Sequence, residues 1–193
     1  AGLLHDAGNP PFSHTGEWFL RDATGYDGET HLREVLRDSE LSTALHVLGA
    51  DPETIAQLVS GHLKPWSDLL AGSLDLDNID NVKRYGAAQG RRLDYDPHAL
   101  AAFRLSPDGD AIELDAAAEK QVEAWQTARY RVYAQDVYAD PHLALTMMLH
   151  RALEFAFCGG ELPPAFWRMT DAEAVRHLKT CNLGTRVLIG QEE

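Results

Sequence analysis

Apolar residues recur at helical spacing along most of the chain. Leu76, Ile79 and Val82 recur every third residue after Leu74, and the segment 31–37 has a similar apolar face. A period of three to four residues places such side chains on one side of an α-helix. The pattern therefore predicts an all-α fold, built as a bundle of helices.

Capping and breaking residues indicate where several helices begin and end. A Gly-Asn-Pro-Pro breaker precedes a helix predicted over 12–21, which ends near Gly25. Asp51 is followed by proline, a combination typical of a helix N-terminus. Thr170 and Glu173 have the spacing of a capping box, which predicts one more helix after them.

The second half of the chain has one break in its helical pattern. Segment 103–114 contains a Ser-Pro-Asp-Gly turn between short alternating stretches, which predicts a small β-hairpin. Helical runs follow over 115–139 and 141–157. No repeat of fixed period and no clear linker interrupts the sequence, so a single domain is expected.

Large apolar side chains within the predicted helices are expected in the core, because burying aromatic area is strongly favourable. The side chains with this expectation are Trp66, Trp125, Met147, Met148, Phe155 and Trp167.

The chain has 193 residues and a formal net charge of −13 at pH 7, from 17 basic and 30 acidic side chains. Such an acidic surface repels nucleic-acid phosphates and anionic membranes, so neither a membrane partner nor non-specific nucleic-acid binding is expected. Two isolated cysteines form no disulfide framework, and the sequence has no signal peptide and no long apolar run. These features favour the cytoplasm.

The first residues are apolar and have no capping residue before them. We therefore expect the chain to start within a helix.

Candidate chemistry is concentrated between His5 and Glu17. His5 and Asp6 offer a nitrogen and an oxygen donor that can both turn toward one divalent cation. A metal site needs a further carboxylate, and Asp77, on the inward side of a later predicted helix, is the best-placed candidate. His14 and Glu17 lie three residues apart, a spacing that puts them on the same face of a helix.

These residues also have ordinary structural interpretations. A His-Asp dipeptide occurs by chance in many proteins, and an acidic row such as Asp75, Asp77 and Asp80 is common on solvated helix faces. The metal interpretation is favoured by the conjunction of features. An apolar run, the His-Asp pair, a Gly/Pro turn and a His/Glu pair follow one another within residues 1–17.

The segment from His5 to Glu17, His-Asp-Ala-Gly-Asn-Pro-Pro-Phe-Ser-His-Thr-Gly-Glu, resembles the HD-domain phosphohydrolases. It is similar in particular to their bacterial deoxynucleoside triphosphate (dGTP) triphosphohydrolase branch. His5 and Asp6 match the central metal-binding doublet of that family. Asp77 stands in an Asp-x-Asp-x-x-Asp segment and matches the last metal-binding aspartate.

The resemblance implies one HD-type helical domain over residues 1–193, with a metal-site core in 1–100 and a helical C-terminal part in 101–193. In the family, the first metal-binding histidine lies on a helix upstream of the doublet, and nothing in this sequence precedes Ala1. We therefore expect the chain to be N-terminally truncated, lacking the first helices of its domain. The alternative is an incomplete metal site.

Further roles follow from the chemistry and the resemblance. His14 is expected to transfer a proton or contact a phosphate, because imidazole titrates near neutral pH, and Glu17 to orient it. The resemblance implies an active-site role for His31 as a phosphate ligand, against the alternative of an exposed histidine at a helix start. Asn9 is a candidate substrate contact or a turn residue. Tyr138 resembles a tyrosine that packs on the substrate sugar.

These observations predict a metal-dependent phosphohydrolase acting on nucleotides, with hydrolysis of deoxynucleoside triphosphates to nucleoside and triphosphate as the leading hypothesis. The cofactor is a divalent ion, and the ligand types do not distinguish Mn, Mg, Fe, Zn and Co. The alternatives are an HD phosphohydrolase acting on another phosphate ester or signalling nucleotide, and a non-catalytic nucleotide-binding HD module. The resemblance also implies a homo-oligomer.

Overall fold

The computed structural model describes residues 1–37 and 40–190. Most of them are helical, which confirms the predicted all-α fold. The α-helices are α1 (His14–Thr24), α2 (Gly28–Arg37), α3 (Glu40–Val47), α4 (Pro52–Val59), α5 (Asp68–Ala71), α6 (Leu76–Ala88), α7 (Pro97–Leu100), α8 (Glu119–Val132), α9 (Asp140–Cys158), α10 (Asp171–Leu178) and α11 (Leu183–Leu188). Short 3-10 helices cover Gly2–Leu4, Ala116–Ala118 and Pro164–Arg168.

The predicted hairpin is present as β1 (Phe103–Leu105) and β2 (Ile112–Leu114), which pair in antiparallel register. Its turn is held by Ser106, whose hydroxyl accepts hydrogen bonds from the backbone N–H groups of Asp110 and Ala111. Gly109 takes a left-handed φ of 81° in the same turn. The Ser-Pro-Asp-Gly sequence therefore does the work that its composition predicts.

Helix boundaries agree with the capping residues more closely than with the apolar pattern. Asp51 accepts a hydrogen bond from the N–H of Thr54, and Thr170 with Glu173 completes a full capping box. The run predicted over 115–139 is divided instead into a 3-10 turn, α8 and a π-helical segment, Tyr133–Val137.

One compact unit comprises Leu4–Leu48 and the chain from Asp140 onward. In it α9 packs against α1, α10 and α11. Its core consists of aromatic and aliphatic side chains, among them Phe19, Leu20, Leu153, Phe166 and Trp167. Because α1 and α9 are far apart in sequence, the loop before α1 is anchored to the C-terminal helices of the same unit.

A second unit comprises Ala1–Leu3 and Gly49–Ala139. Here α6, α7 and α8 surround a core that includes Ile79, Val82, Leu100 and Trp125. Each unit takes segments from both 1–100 and 101–193, so the compact units do not follow that division of the chain. The single-domain organisation stays a prediction.

Not all of the expected core side chains are buried. Trp125 and Trp167 are buried, as expected, whereas Trp66 and Met147 have more than half of their surface exposed, at 52% and 56%. Met148 and Phe155 are also exposed. Within the described residues, every helix falls short, in length or in apolar character, of what a bilayer crossing requires.

Tyr95 makes the second unit sensitive to alkaline pH. Its ring is buried, and its hydroxyl donates a 2.6 Å hydrogen bond to the carbonyl oxygen of Ile79. Burial, helped by the negative charge of Asp80, raises the pKa of Tyr95 from 10.0 to about 12. The neutral phenol is the form that the fold stabilises, so this contribution is complete below pH 10 and is lost as the pH rises toward 12.

We therefore expect Tyr95→Phe to lower the free energy of unfolding at neutral pH by about 1 kcal/mol, since it removes one buried hydrogen bond. The variant should lose less stability than the wild type between pH 10 and pH 12. Urea denaturation across this range measures both effects, with the exposed Tyr130→Phe as the matched control. Parallel pH profiles of wild type and Tyr95→Phe would contradict the assignment.

Candidate functional site

The His-Asp pair lies in a tight turn at the start of the first unit. The N–H of Ala7 donates to the carbonyl oxygen of Leu4, and the N–H of Asn9 donates to that of Asp6. His5 Nε2 lies 3.4 Å from Asp6 Oδ2. The His5 side chain is 23% exposed and that of Asp6 69%, so the pair lies at the surface with the ring partly sheltered.

Asn9 fixes the orientation of the Asp6 carboxylate. Its side-chain amide donates a 3.0 Å hydrogen bond to Asp6 Oδ1, which leaves Oδ2 as the oxygen that faces His5. An imidazole nitrogen and a carboxylate oxygen directed at each other form a donor set that suits a borderline divalent cation. The two residues therefore fit part of a metal site.

Glu17 connects the first two helices and holds His14. One carboxylate oxygen, Oε1, accepts a 2.9 Å hydrogen bond from the N–H of Gly28, the first residue of α2. The other, Oε2, lies 3.3 Å from His14 Nδ1. The predicted pairing of His14 and Glu17 is thus present as a contact. Because the His14 side chain is 90% exposed, its Nε2 edge is open to a ligand.

Glu17 should also stabilise the fold, because its carboxylate satisfies a helix N-terminal amide that would otherwise lack an intrahelical partner. We expect Glu17→Ala to lower the free energy of unfolding by about 1 kcal/mol, as for loss of a helix cap. Glu17→Gln keeps an amide oxygen for Gly28 and should lose less than half of that. Urea denaturation compares the two variants, and equal losses would show that charge, not the hydrogen bond, is responsible.

The loop before α1 has an unusual backbone. Phe12 and Ser13 have left-handed φ angles of 66° and 48°, which cost energy in residues other than glycine. The N–H of Phe12 donates a 2.8 Å hydrogen bond to Asp171 Oδ1, at the start of α10. This conformation ends the turn and makes His14 the first residue of α1, so the helix begins two residues later than the apolar pattern predicts.

Asp171 was missed as a site-supporting residue. It follows the capping threonine of α10, and its sequence context points only to a helix start. No local signal links it to a loop that lies 159 positions earlier. A carboxylate at the first position of a capped helix is, by itself, a common feature.

His31 is buried in α2, with 7% of its surface exposed, so the alternative of a solvent-exposed histidine at a helix start is wrong. Its Nδ1 lies 2.8 Å from the carbonyl oxygen of Gly8. A carbonyl oxygen can only accept, so Nδ1 carries the proton and Nε2 carries the lone pair in the neutral ring. Gly8 thereby links His31 to the turn that contains Asp6.

The other predicted site residues, Asp77 and Tyr138, belong to the second unit. Asp77 lies in the first turn of α6, whose N-cap is the buried Asp75. Tyr138 follows the π-helical segment, and 61% of its surface is exposed. Across residues 1–37 and 40–190, no group of three or more His, Cys, Asp or Glu side chains is gathered as a metal site. The set of His5, Asp6 and Asp77 stays a prediction.

The comparisons with known proteins identify the family of the segment that carries these residues. Residues 1–85 match the HD domain family. This part of the chain is an HD domain. It contains the His5–Asp6 doublet and Asp77 together, and HD domains in general bind divalent metal ions and are phosphohydrolases.

Relatives of the whole chain extend beyond the HD domain. The chain is 28% identical over 161 residues to the uncharacterized protein YwfO of Bacillus subtilis strain 168, covering 79% of this chain and 36% of YwfO. It superimposes on the crystal structure of a hypothetical protein from Aquifex aeolicus with a TM-score of 0.67 at 19% identity, covering 98% of this chain and 49% of that one.

These relatives support the fold but not one substrate. The chain spans about a third of the length of YwfO and about half of the Aquifex chain. Neither printed name states an activity, so the deoxynucleoside triphosphate branch gains no support from them.

Proposed function

We propose that this protein is a metal-dependent phosphohydrolase that acts on nucleotides, and that its substrate is a deoxynucleoside triphosphate, cleaved to nucleoside and triphosphate. The observation that carries the proposal is the His5–Asp6 pair, with Nε2 and Oδ2 at 3.4 Å, inside the segment that matches the HD domain. The substrate class rests on the similarity of residues 5–17 to the dGTP triphosphohydrolase motif.

His5 and Asp6, with Asp77, would hold the divalent cation, whose identity among Mn, Mg, Fe, Zn and Co their donor types leave open. When bound, the cation supplies positive charge against the substrate phosphates and makes water acidic enough to attack phosphorus near neutral pH. A chain with a net charge of −13 needs such local positive charge to bind a nucleotide.

His14 is the residue placed to move a proton. Its Nδ1 faces Glu17 Oε2, which selects the tautomer and orientation of the ring, so Nε2 is the atom that exchanges a proton with the leaving oxygen. The exposure of the ring leaves this edge accessible to substrate. Tyr138 is proposed to pack on the substrate sugar. Further copies of the chain and a cytoplasmic location complete the proposal.

The test uses the intact protein with a panel of ribo- and deoxynucleoside triphosphates, monophosphates and signalling nucleotides. Each is incubated with Mn²⁺, Mg²⁺, Fe²⁺, Zn²⁺ or Co²⁺, and products are separated by ion-exchange chromatography. Release of nucleoside and triphosphate from deoxynucleotides supports the proposal. Turnover of another ester only would overturn the substrate class. Metal and nucleotide binding without turnover would favour a non-catalytic HD module.

A further inference from the structure

A pocket of about 330 Å³ lies beside the turn that carries Asp6. Ala7 and Asn9 from that turn line it, and Asn9 also donates to Asp6 Oδ1. The opposite wall comes from α2, through His31 and Val35, and from the segment containing Trp167 and Arg168. All of these residues belong to the first unit.

The buried His31 gives this pocket a polar group that the fold does not use. The ring is 93% buried by the complement of its 7% exposure, and Nδ1 is occupied by the carbonyl oxygen of Gly8. Within the described part of the chain, Nε2 has no hydrogen-bond partner. A nitrogen in this setting can accept from a phosphate hydroxyl or, when protonated, donate to a phosphate oxygen.

The charge of the pocket is opposite to that of the chain. Among the described residues that line it, Arg168 is a full cation and there is no Asp or Glu. The chain as a whole carries −13. A guanidinium with no carboxylate beside it in a partly enclosed space is a strong attractor for an anion, because its field is not cancelled locally.

Arg168 is held on a rigid base. It ends the 3-10 helix Pro164–Arg168, where the preceding Phe166 and Trp167 are both buried and meet edge to face at 5.3 Å. After it, Thr170 caps α10. The Nη2 atom lies 3.5 Å from the carbonyl oxygen of Glu34 on α2, which directs the guanidinium toward the helix that carries His31. The cation is therefore pre-organised at low entropic cost.

We propose that this pocket binds a phosphate group of the nucleotide, with Arg168 as the binding cation and His31 Nε2 as its polar partner. The role in substrate binding rests on the proposed function, whereas binding of phosphate to the pocket does not. Arg168 lies outside residues 1–85, so the C-terminal part of the chain would supply a substrate contact that the matched HD segment lacks.

The test measures binding of sodium tripolyphosphate to the intact protein by isothermal titration calorimetry, with a chelator present so that no divalent cation contributes. Arg168→Gln should weaken binding about tenfold or more, as expected for loss of a charge-assisted hydrogen bond. Arg176→Gln, which removes an exposed arginine of α10 that does not line the pocket, should leave binding unchanged. Equal binding by Arg168→Gln and wild type, or equal weakening by both variants, would overturn the proposal.

Two variants of His31 separate its fold contact from its ligand contact. His31→Asn places an amide near the position of Nδ1 and keeps a donor for Gly8, but removes Nε2. His31→Gln does the reverse. Weaker tripolyphosphate binding by His31→Asn, with a thermal melt close to wild type, supports the proposal, and unchanged binding by a folded His31→Asn contradicts the role of Nε2.

The nucleotide and free phosphate are distinguished by repeating the titration with a deoxynucleoside triphosphate, with inorganic phosphate and with the nucleoside alone. Arg168→Gln should weaken the triphosphate and leave nucleoside binding unchanged. An Arg168-dependent affinity for inorganic phosphate alone would restrict the pocket to free phosphate and overturn its substrate role. Arg168-dependent tripolyphosphate binding in a protein that hydrolyses nothing would leave the pocket intact and refute the phosphohydrolase.

Discussion

The Asp6→Asn variant is expected to lose metal-dependent hydrolysis by about a thousandfold, which corresponds to ~4 kcal/mol of transition-state stabilisation. The change removes a negative charge while keeping the shape of the side chain. An asparagine at this position still offers an oxygen to the amide of Asn9, which now donates to Asp6 Oδ1 at 3.0 Å. The turn should therefore survive, and the loss should come from the weaker donor that faces His5.

The measurement has two parts, activity on the preferred nucleotide and metal content of the purified intact protein by inductively coupled plasma mass spectrometry. Asp22→Asn, which neutralises an exposed carboxylate on α1 of the same unit, is the matched control and should retain both. A variant Asp6→Asn that keeps full metal content and full turnover would remove Asp6 from the metal site. Loss of turnover with unchanged metal content would point to a role in substrate binding instead.

Local chemistry explains why so much of the secondary structure is predictable from the sequence. Asp51, Thr170 and Asn182 each accept a hydrogen bond from a backbone N–H two or three residues into a helix, and such caps need only neighbours in the chain. The hairpin turn at Ser106 is decided in the same way. These elements depend on contacts within five residues, so a sequence pattern contains all of the information that forms them.

The misplaced elements depend on distant partners. The start of α1 is shifted by two left-handed residues whose backbone is held by Asp171, from the far end of the chain. Met147 and Met148 have the apolar character of core residues, yet their turn of α9 is exposed in the described structure. Periodicity reports that a face is apolar, not which surface covers it.

The candidate site follows the same division. The pairing of His14 with Glu17 is local and follows from a spacing of three residues. The second function of Glu17, at the N-terminus of α2, and the contact of His31 with Gly8 both join separate helices. Arg168 and Asp171 come from the C-terminal segment, whose sequence has no feature that points to the turn at Asp6. Spatial convergence, not residue type, makes them candidates.

Glycines of the His5–Glu17 segment show what the motif requires besides its ligands. A Cβ on Gly16 would meet the carbonyl oxygen of Pro11 at 2.2 Å, inside any permitted contact. A Cβ on Gly8 would meet the carbonyl oxygen of Gly28 at 2.1 Å and the backbone nitrogen of Leu32 at 2.4 Å. The turn that presents Asp6 can therefore lie against α2 only because position 8 has no side chain.

Gly8→Ala should consequently destabilise the protein by about 3 kcal/mol, near the upper end for overpacking, because the atoms in the way are backbone and cannot rotate aside. Relief requires the turn to move away from α2, which would also stretch the 2.8 Å contact between Gly8 and His31 Nδ1. We expect Gly8→Ala to lose affinity for tripolyphosphate as well, since His31 lines the proposed pocket. Both effects come from one displacement.

Gly2→Ala is the matched control, because the nearest atom to its added Cβ is a side-chain carbon of Leu70 at 3.7 Å, an ordinary contact distance. Urea denaturation of the three proteins gives the free energies of unfolding, and titration with tripolyphosphate gives the ligand affinities. A Gly8→Ala protein as stable as wild type would show that the turn does not lie against α2 in solution. The same stability with weakened ligand binding would instead place the turn in contact with the ligand, because the added methyl group would then be felt only in the pocket.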